Sequence, residues 1–191
     1  MGDKIQASVR KALLSRFQSK MCDGAVYNLK SFGVAANSGA YRTTKHKFKL
    51  NLQSGTVVTK VETDLITASP YRLVSFPEIV GKIDMDYLID VVAIVSSVGR
   101  ERVYERNRVT TRFKVIELEA NGMKLDCTLF GTYVDALDAF LQIGYTGKVV
   151  VLAEYLKVKM YNGKVQLQNA MNCTNLMFNP EIPEANTLKL R

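Results

Sequence analysis

Hydrophobic and polar positions follow strand periods through most of the second half of the chain. Residues 87–98 form a nearly continuous apolar run rich in β-branched side chains, which is typical of a buried strand. Residues 133–141 differ, because Val134, Leu137 and Leu141 recur at helical spacing. The pattern therefore predicts one helix among five strands, and those strands are 87–98, 110–119, 123–130, 148–161 and a last one beginning at 164–169.

The turns between these segments indicate how the strands connect. Asn121-Gly122 and Asn162-Gly163 are strong two-residue hairpin signals, and residues 99–107 read as a polar, arginine-rich loop. The resulting order is three strands, a helix, then two strands. This is the order of an OB-fold, a five-stranded Greek-key barrel with its helix between the third and fourth strands.

The first half of the chain repeats part of this pattern. Residues 2–9 match residues 122–129, with Gly2, Lys4 and Ser8 aligned to Gly122, Lys124 and Thr128. The matched segment is followed by a predicted helix, with Leu13 and Phe17 inward, and by two further strands. The predicted elements of this half are a strand at 4–9, a helix at 10–20, and strands at 26–34 and 41–52. A repeat of this period predicts two copies of one domain.

The repeat also predicts that the first copy is incomplete. In the second copy about 35 residues precede Gly122 and supply the first two strands. In the first copy the matching glycine is Gly2, so the sequence offers no counterpart of those two strands. We therefore expect a mainly β protein of two tandem OB-folds, the first N-terminally truncated, less stable and with unpaired strand edges. The expected organisation is an incomplete OB-fold at 1–68, a linker at 69–83, a complete OB-fold at 84–179 and a C-terminal tail at 180–191.

Composition narrows the class of protein. With 47% hydrophobic residues, the 191-residue chain can form packed cores, and its apolar runs are too short to span a bilayer. The N-terminal sequence has no signal-peptide pattern. Three widely spaced cysteines suit a reducing compartment. No pair of cysteines has the short spacing of a structural zinc site, so neither a metal nor another cofactor is expected.

The net charge of +8 is concentrated in two segments. Residues 24–61 contain no acidic residue, and the second basic segment lies around 100–114. A solvated surface is the usual meaning of one charge run. Two basic loops beside aromatic residues in a duplicated domain instead favour a polyanionic partner. The candidate phosphate-contacting residues are Arg10, Arg42, Lys45, Lys47, Arg100, Arg102, Arg106, Arg108, Lys159 and Lys164.

Three segments of the chain resemble a known family. Residues 127–131 (CTLFG), 157–163 (KVKMYNG) and 179–185 (NPEIPEA) are similar to the second central OB domain of the large subunit of replication protein A, and most of all to the plant group of such proteins. Residues 5–9 (IQASV) and 41–46 (YRTTKH) resemble the preceding OB domain of that subunit. The resemblance extends over essentially the whole chain, and residues 179–185 are its most specific part.

The resemblance implies a nuclear protein that binds single-stranded DNA and is not an enzyme. It also implies DNA replication, repair and recombination as the processes served, with other subunits of replication protein A type as possible partners beside the DNA. By position, Phe130 and Tyr161 correspond to the stacking aromatics of the second domain, and Tyr41 to the loop aromatic of the first. Arg10 stands where the first domain would have its third-strand aromatic, and an arginine plane can also stack on a base.

The residues themselves leave some of these assignments open. Tyr41 and Tyr161 lie beside turns, which favours exposure, whereas Phe130 is equally compatible with a core position. Tyr87, Phe113 and Phe140 are predicted to be core residues. His46 is the only histidine and lies in a basic loop, so a catalytic triad is improbable. A protein-interaction adaptor and a single-stranded RNA binder remain alternative functions.

Overall fold

The computed structural model describes residues 4–63, 71–81, 86–106 and 108–190, with the backbone alone for Arg106. The chain divides into two compact units, Met1–Pro70 and Tyr71–Arg191. Among the described residues, no helix is long and apolar enough to cross a membrane.

The second unit is a closed barrel built as the hydrophobic pattern predicts. The five barrel strands are β6 (Ile89–Val98), β8 (Val109–Ala120), β9 (Met123–Phe130), β10 (Val150–Tyr161) and β11 (Lys164–Asn169). They pair in the cyclic order β11–β9–β8–β6–β10, and the β10–β11 pairing closes the ring. Helix α3 (Thr132–Gln142) connects β9 to β10 and buries Val134 and Leu137. This strand order and helix position confirm the OB-fold.

Both predicted hairpin turns are present. Asn121 and Gly122 have φ values of 51° and 77° between paired Ala120 and Met123. Asn162 and Gly163 have φ values of 48° and 74° at the end of the β10–β11 ladder. Positive φ at both central residues is what a type I′ turn requires, and Asn-Gly is the sequence that tolerates it best.

Segments assigned to a linker and a tail belong to the second unit. Helix α2 (Phe76–Gly81) buries Phe76 and Ile79 in the barrel core, and Leu73 bridges to Asp90. Helix α4 (Pro183–Leu190) buries Ala185 and Leu188 in a smaller cluster. The linker at 69–83 and the tail at 180–191 are therefore corrected for residues 71–81 and 180–190, because their apolar residues pack on the barrel. Residues 69, 70, 82, 83 and 191 lie outside the described residues.

The first unit has a smaller set of paired strands. Strand β1 (Ala7–Val9) pairs in parallel with β4 (Phe48–Leu52), which pairs antiparallel with β3 (Gly33–Ala36). A separate ladder joins β2 (Val26–Lys30) to β5 (Val57–Val61). A 3₁₀ turn (Lys11–Leu13) and helix α1 (Leu14–Gln18) follow β1, and α1 buries Phe17. Leu13 is only half-buried.

Hydrogen bonds show that the two units share one design. Ser31 separates β2 from β3, and Tyr155 lies at an irregularity in the pairing of β10 with β6; their φ values are 58° and 57°. In the first unit the Thr56 hydroxyl donates to the Ser31 carbonyl (2.9 Å) and accepts from the Gln53 amide (2.8 Å). In the second, the Thr174 hydroxyl donates to the Tyr155 carbonyl (2.9 Å) and accepts from the Ala170 amide (2.7 Å). The predicted duplication therefore extends to the same buried threonine bridge.

The duplication identifies what the described part of the first unit contains. Parallel pairing aligns Ala7 with Leu50 in the first unit and Cys127 with Leu167 in the second. Strand β1 thus corresponds to β9, β2 and β3 to the two halves of β10, and β4 to β11. Strand β5 corresponds to β12 (Asn175–Phe178), which pairs with β10. Within residues 4–63 no strand corresponds to β6 or β8. Gly2, from which the incompleteness was predicted, lies outside the described residues.

Three predicted elements of the first unit differ from the structure. The strand at 26–34 is divided at Ser31, whose left-handed backbone interrupts the ladder. The returning strand begins at Phe48 rather than Tyr41, because residues 38–47 form a loop. The helix at 10–20 is shorter and begins as a 3₁₀ turn.

We expect two of the free cysteines, Cys22 and Cys127, to react very differently with a thiol reagent. Cys22 is exposed, whereas Cys127 is buried on β9, and burial raises the pKa of its thiol to about 12. At pH 8 Cys127 therefore stays protonated and shielded. Timed alkylation followed by mass spectrometry should label Cys22 within minutes and leave Cys127 unlabelled until the protein is denatured. Equal rates for the two thiols would contradict the burial of β9.

Candidate nucleic-acid interface

The outward face of the second barrel is defined by strands β8 and β9. Their inward residues are buried, and the exposed fraction is 0–1% for Ile116, Leu118, Cys127 and Leu129. The alternate positions on the same strands face outward, because side chains alternate along a strand. They form cross-strand pairs in successive rows, namely Phe113 with Phe130, Val115 with Thr128, Glu117 with Asp126, and Glu119 with Lys124.

The first of these rows forms part of an aromatic cluster. The rings of Phe113 and Phe130 lie 5.3 Å apart between centroids with an interplanar angle of 31°. Tyr104 meets the Phe130 ring edge-on at 6.5 Å and is 48% exposed. Phe113 and Phe130 are both half-buried. The cluster therefore presents aromatic surface to solvent while its rings support one another.

Two polar contacts fix the backbone at Phe130. Its amide donates to the side-chain oxygen of Asn169 at 2.7 Å, and Asn169 is 3% exposed. The next amide, of Gly131, donates to the Arg112 carbonyl at 2.9 Å. The backbone that carries the ring is therefore held by both neighbouring strands, β11 and β8. A held backbone reduces the entropy lost when a planar ligand stacks on the ring.

Sequence reasoning missed Tyr104 because residues 99–107 were expected to be a loop. Residues Arg102–Arg106 instead form strand β7, which pairs with the beginning of β8. Arg102 pairs with Phe113 and Tyr104 with Thr111, so both project on the face of the aromatic cluster. An aromatic residue beside β-branched Val103 in a basic segment was the available signal. Phe113 was predicted to be core and is instead part of this half-buried cluster. Asn107 lies outside the described residues.

The arginines around this ribbon divide into two groups. Arg112 points away from the cluster and binds Asp135 (2.7 Å) and Glu101 (3.6 Å), and its pKa is raised chiefly by the hydrogen bond with Asp135. Lys114 binds Asp138, and both acidic partners, Asp135 and Asp138, lie on helix α3. Arg100, Arg102 and Arg108 are exposed and form no ion pair with any described residue. These three arginines place positive charge beside the aromatic cluster.

Tyr161 lies at the other end of the sheet. It is 63% exposed and pairs with Lys164 beside the Asn162-Gly163 turn. In the parallel pairing of β9 with β11, Gln168 lies beside Thr128. Continuing this register places Lys164 beside Lys124. Lys124 precedes Phe130 on β9 by six residues. Six residues of strand correspond to roughly 20 Å. Phe130 and Tyr161 are therefore too far apart to form one stack. They lie at opposite ends of one face, and OB-folds use a face of this size to bind several nucleotides.

Strands β10 and β11 carry basic and neutral polar residues on this face. Lys157 pairs with Gln168 and Lys159 with Gln166, while Lys164 is exposed. Lys157 and Lys159 are half-buried. The predicted contacts Lys159 and Lys164 thus share the face with Tyr161.

The first unit holds its candidate residues in a braced loop. The Asn37 amide donates to the carbonyls of Thr44 (2.9 Å) and His46 (3.0 Å). The Thr43 amide donates to the Gln6 side chain on the segment leading into β1 (3.4 Å). Tyr41 is 39% exposed with a φ of 71°. Lys45 and Lys47 are exposed, Arg42 is half-buried, and Arg10 is exposed immediately after β1. A loop of this kind presents cations from a defined position.

Metal coordination has no centre in the described residues. No group of three or more histidine, cysteine, aspartate or glutamate side chains is arranged to hold a metal ion. The Cys127 thiol has a raised pKa, the opposite of what a nucleophile requires. The assembled chemistry is that of a surface with aromatic rings and cations.

Comparisons with known proteins agree with the fold. A family model described as a domain of unknown function, DUF223, matches residues 1–82. No curated protein matches the sequence. The chain is similar to a chain of a replication protein A heterotrimer bound to ssDNA, with 18% identity and a TM-score of 0.64. That alignment covers 96% of this chain and 42% of the other, so this chain spans about two fifths of its relative.

Two further solved structures resemble the chain less closely. One is the Ifi202 HINa domain in complex with a 20-base-pair duplex (10% identity, TM-score 0.51, 93% of this chain and 79% of the other). The other is the p204 HINb domain (8% identity, TM-score 0.51, 93% and 81%). Such likenesses show the fold alone: the protein is mainly β and contains a closed OB-fold barrel. Membership of the family of replication protein A large subunits, and of its plant group, stays a prediction.

Proposed function

We propose that this protein binds single-stranded DNA with little sequence preference, chiefly through the second OB-fold. The observation that carries the proposal is the cluster of Tyr104, Phe113 and Phe130 on the outward sheet face, beside unpaired Arg100, Arg102 and Arg108. Bases stack on such rings whatever their identity, and cations follow the phosphates. The likeness to a replication protein A chain in a complex with ssDNA supports the same function.

Each part of the site has a defined role in this proposal. Phe130 and Tyr104 stack on bases at one end of the face, and Tyr161 stacks on a base at the other. The phosphates are neutralised by four exposed cations, namely Arg100, Arg102, Arg108 and Lys164. Arg112 and Lys114 are structural, because their charges are satisfied by helix α3. In the first unit, Tyr41, Lys45 and Lys47 provide a secondary contact surface.

The direct test is a titration with fluorescent oligonucleotides of equal length. Oligo-dT, oligo-rU and a duplex of matched length are each titrated with the full chain. We expect oligo-dT to bind at least 10-fold more tightly than the duplex. Tighter binding of duplex would contradict the proposal, and a clear preference for rU would favour the single-stranded RNA alternative. Failure of all three would leave the adaptor function. A nuclear location and partner subunits of replication protein A type belong to the same proposal.

We expect affinity for oligo-dT to fall steeply with salt. Arg100, Arg102, Arg108 and Lys164 are exposed and unpaired within the described residues, and they suggest four phosphate contacts. At a slope of about −0.7 per contact on single strands, raising salt from about 50 to 200 mM weakens binding roughly 50-fold. Fluorescence anisotropy across this range measures the slope. An affinity independent of salt would exclude a phosphate-binding surface.

A further inference from the structure

Carboxylates interrupt the outward face of the second barrel next to the aromatic cluster. Glu117 and Asp126 form one cross-strand pair, and Glu119 with Lys124 forms the next. Lys124 donates to Glu117 at 2.6 Å and lies 3.9 Å from Glu119. Two carboxylates therefore flank a single lysine, and Asp126 lies opposite one of them, Glu117. We define Glu117, Glu119 and Asp126 as the acidic strip.

Hydrogen bonds hold the acidic strip in place. The Ser96 hydroxyl donates to Glu117 at 2.7 Å, and Gln166 reaches Asp126 at 3.5 Å. The hydrogen bonds from Lys124 and Ser96 lower the pKa of Glu117, so the carboxylate is ionised at neutral pH. With Lys124 already engaged, the strip presents net negative charge on a surface proposed to bind a polyanion.

The strip leaves one route across the sheet free of acidic residues. This route is the row of paired residues next to Phe113 and Phe130. It crosses strands β8, β9, β11 and β10 in that order, through Val115, Thr128, Gln168 and Lys157. A single strand that stacks on Phe130 can cross the sheet along this row and meet Lys157. Its phosphates need not approach Glu117 or Glu119.

A duplex bound at the aromatic cluster cannot avoid the acidic strip in the same way. Asp126 lies four residues before Phe130, which is about 13 Å along the strand. The major groove of B-DNA is about 12 Å wide. If one duplex backbone lies beside Phe130 and Arg102, the other therefore lies near the acidic strip. Juxtaposed like charges disfavour that complex and leave the single strand unaffected.

From this arrangement we infer that the acidic strip excludes duplex DNA and so determines the selectivity of the site for single strands. The inference rests on the proposed function and adds a repulsive element to its attractive ones. It also assigns a function to Glu117 and Glu119 that packing does not explain, because both project from the barrel. The comparison structures include complexes with both ssDNA and duplex, so the fold alone does not set this choice.

The test is a charge-neutral variant, Glu117→Gln combined with Glu119→Gln. Glutamine keeps an oxygen that accepts from Ser96 and Lys124, so the barrel should remain folded, as thermal unfolding will verify. We expect affinity for a 20-base-pair duplex to rise at least 5-fold and affinity for a 20-nucleotide dT strand to change less than 2-fold. Glu181→Gln, an exposed carboxylate before helix α4, is the matched control and should change neither.

The outcomes separate this inference from the function on which it rests. A wild-type protein that fails to bind dT contradicts the proposed function. If the wild type binds dT but the variant gains equally for dT and duplex, or gains nothing for duplex, the selectivity role is wrong. Glu119→Gln alone provides a second variant, because the Glu119 carboxylate lies farther from Lys124 than that of Glu117. This variant should also raise the affinity for duplex, but by less than the double variant.

Discussion

Replacing Phe130 with alanine is expected to weaken binding of oligo-dT by roughly 5- to 150-fold, which corresponds to about 1–3 kcal/mol for one stacked base. The ring lies on the outward side of β9 and contacts Phe113 and Tyr104 rather than the barrel core. Its loss therefore removes stacking surface while the core residues of β9, Leu125, Cys127 and Leu129, stay packed.

Tyr104→Ala is expected to produce a comparable loss, because Tyr104 is 48% exposed at the edge of the same cluster. Combining it with Phe130→Ala should give less than the sum of the two effects, since the two rings are in contact. Tyr145→Ala is the matched control. Tyr145 is also 48% exposed, but it lies in the segment that follows helix α3 and contacts Phe140 on that helix.

Fluorescence anisotropy provides the affinities for these variants, and thermal unfolding shows whether each remains folded. If Phe130→Ala lowers the melting temperature sharply and leaves affinity unchanged, Phe130 is a core residue and the stacking assignment is wrong. An equal loss from Tyr145→Ala would instead indicate a general effect of removing exposed aromatics.

The second barrel could be predicted from the sequence because its signals are local. Alternation along 110–119 and 123–130, the two Asn-Gly turns and the helical spacing of Val134 and Leu137 each specify one element. Their order is enough to indicate the OB-fold. Exposure of Phe130 was not decidable in this way, since it depends on Asn169 and Phe113, which are distant in sequence.

The elements that escaped prediction have their causes in tertiary structure. Strand β7 exists because its backbone pairs with β8, although its composition is that of a loop. Helix α2 and helix α4 looked like a linker and a tail because each is short and buries only a few residues on the barrel. The acidic strip was not predicted because Asp126 joins Glu117 and Glu119 only when β9 pairs with β8.

Equivalent positions in the two units differ sharply in burial. Ile5, Leu14 and Val34 are 40%, 47% and 60% exposed. Their counterparts in the second unit, Leu125, Val134 and Val158, are 7%, 0% and 4% exposed. The described core of the first unit includes Phe17 and Leu52 as its fully buried hydrophobic residues. The same design thus buries far less apolar surface in the first unit, and burial is the main source of stability.

Amide hydrogen exchange is therefore expected to be at least about 100-fold faster in β1 and β4 than in their counterparts β9 and β11. Amides of the second barrel open only with global unfolding, because β9 pairs on both sides, with β8 and β11. In the first unit β1 pairs with β4 alone among the described strands. Exchange read by mass spectrometry at peptide resolution compares the two ladders in one sample, so the second unit is an internal control. Equal protection would mean that residues beyond those described complete the first barrel and that its predicted incompleteness is wrong.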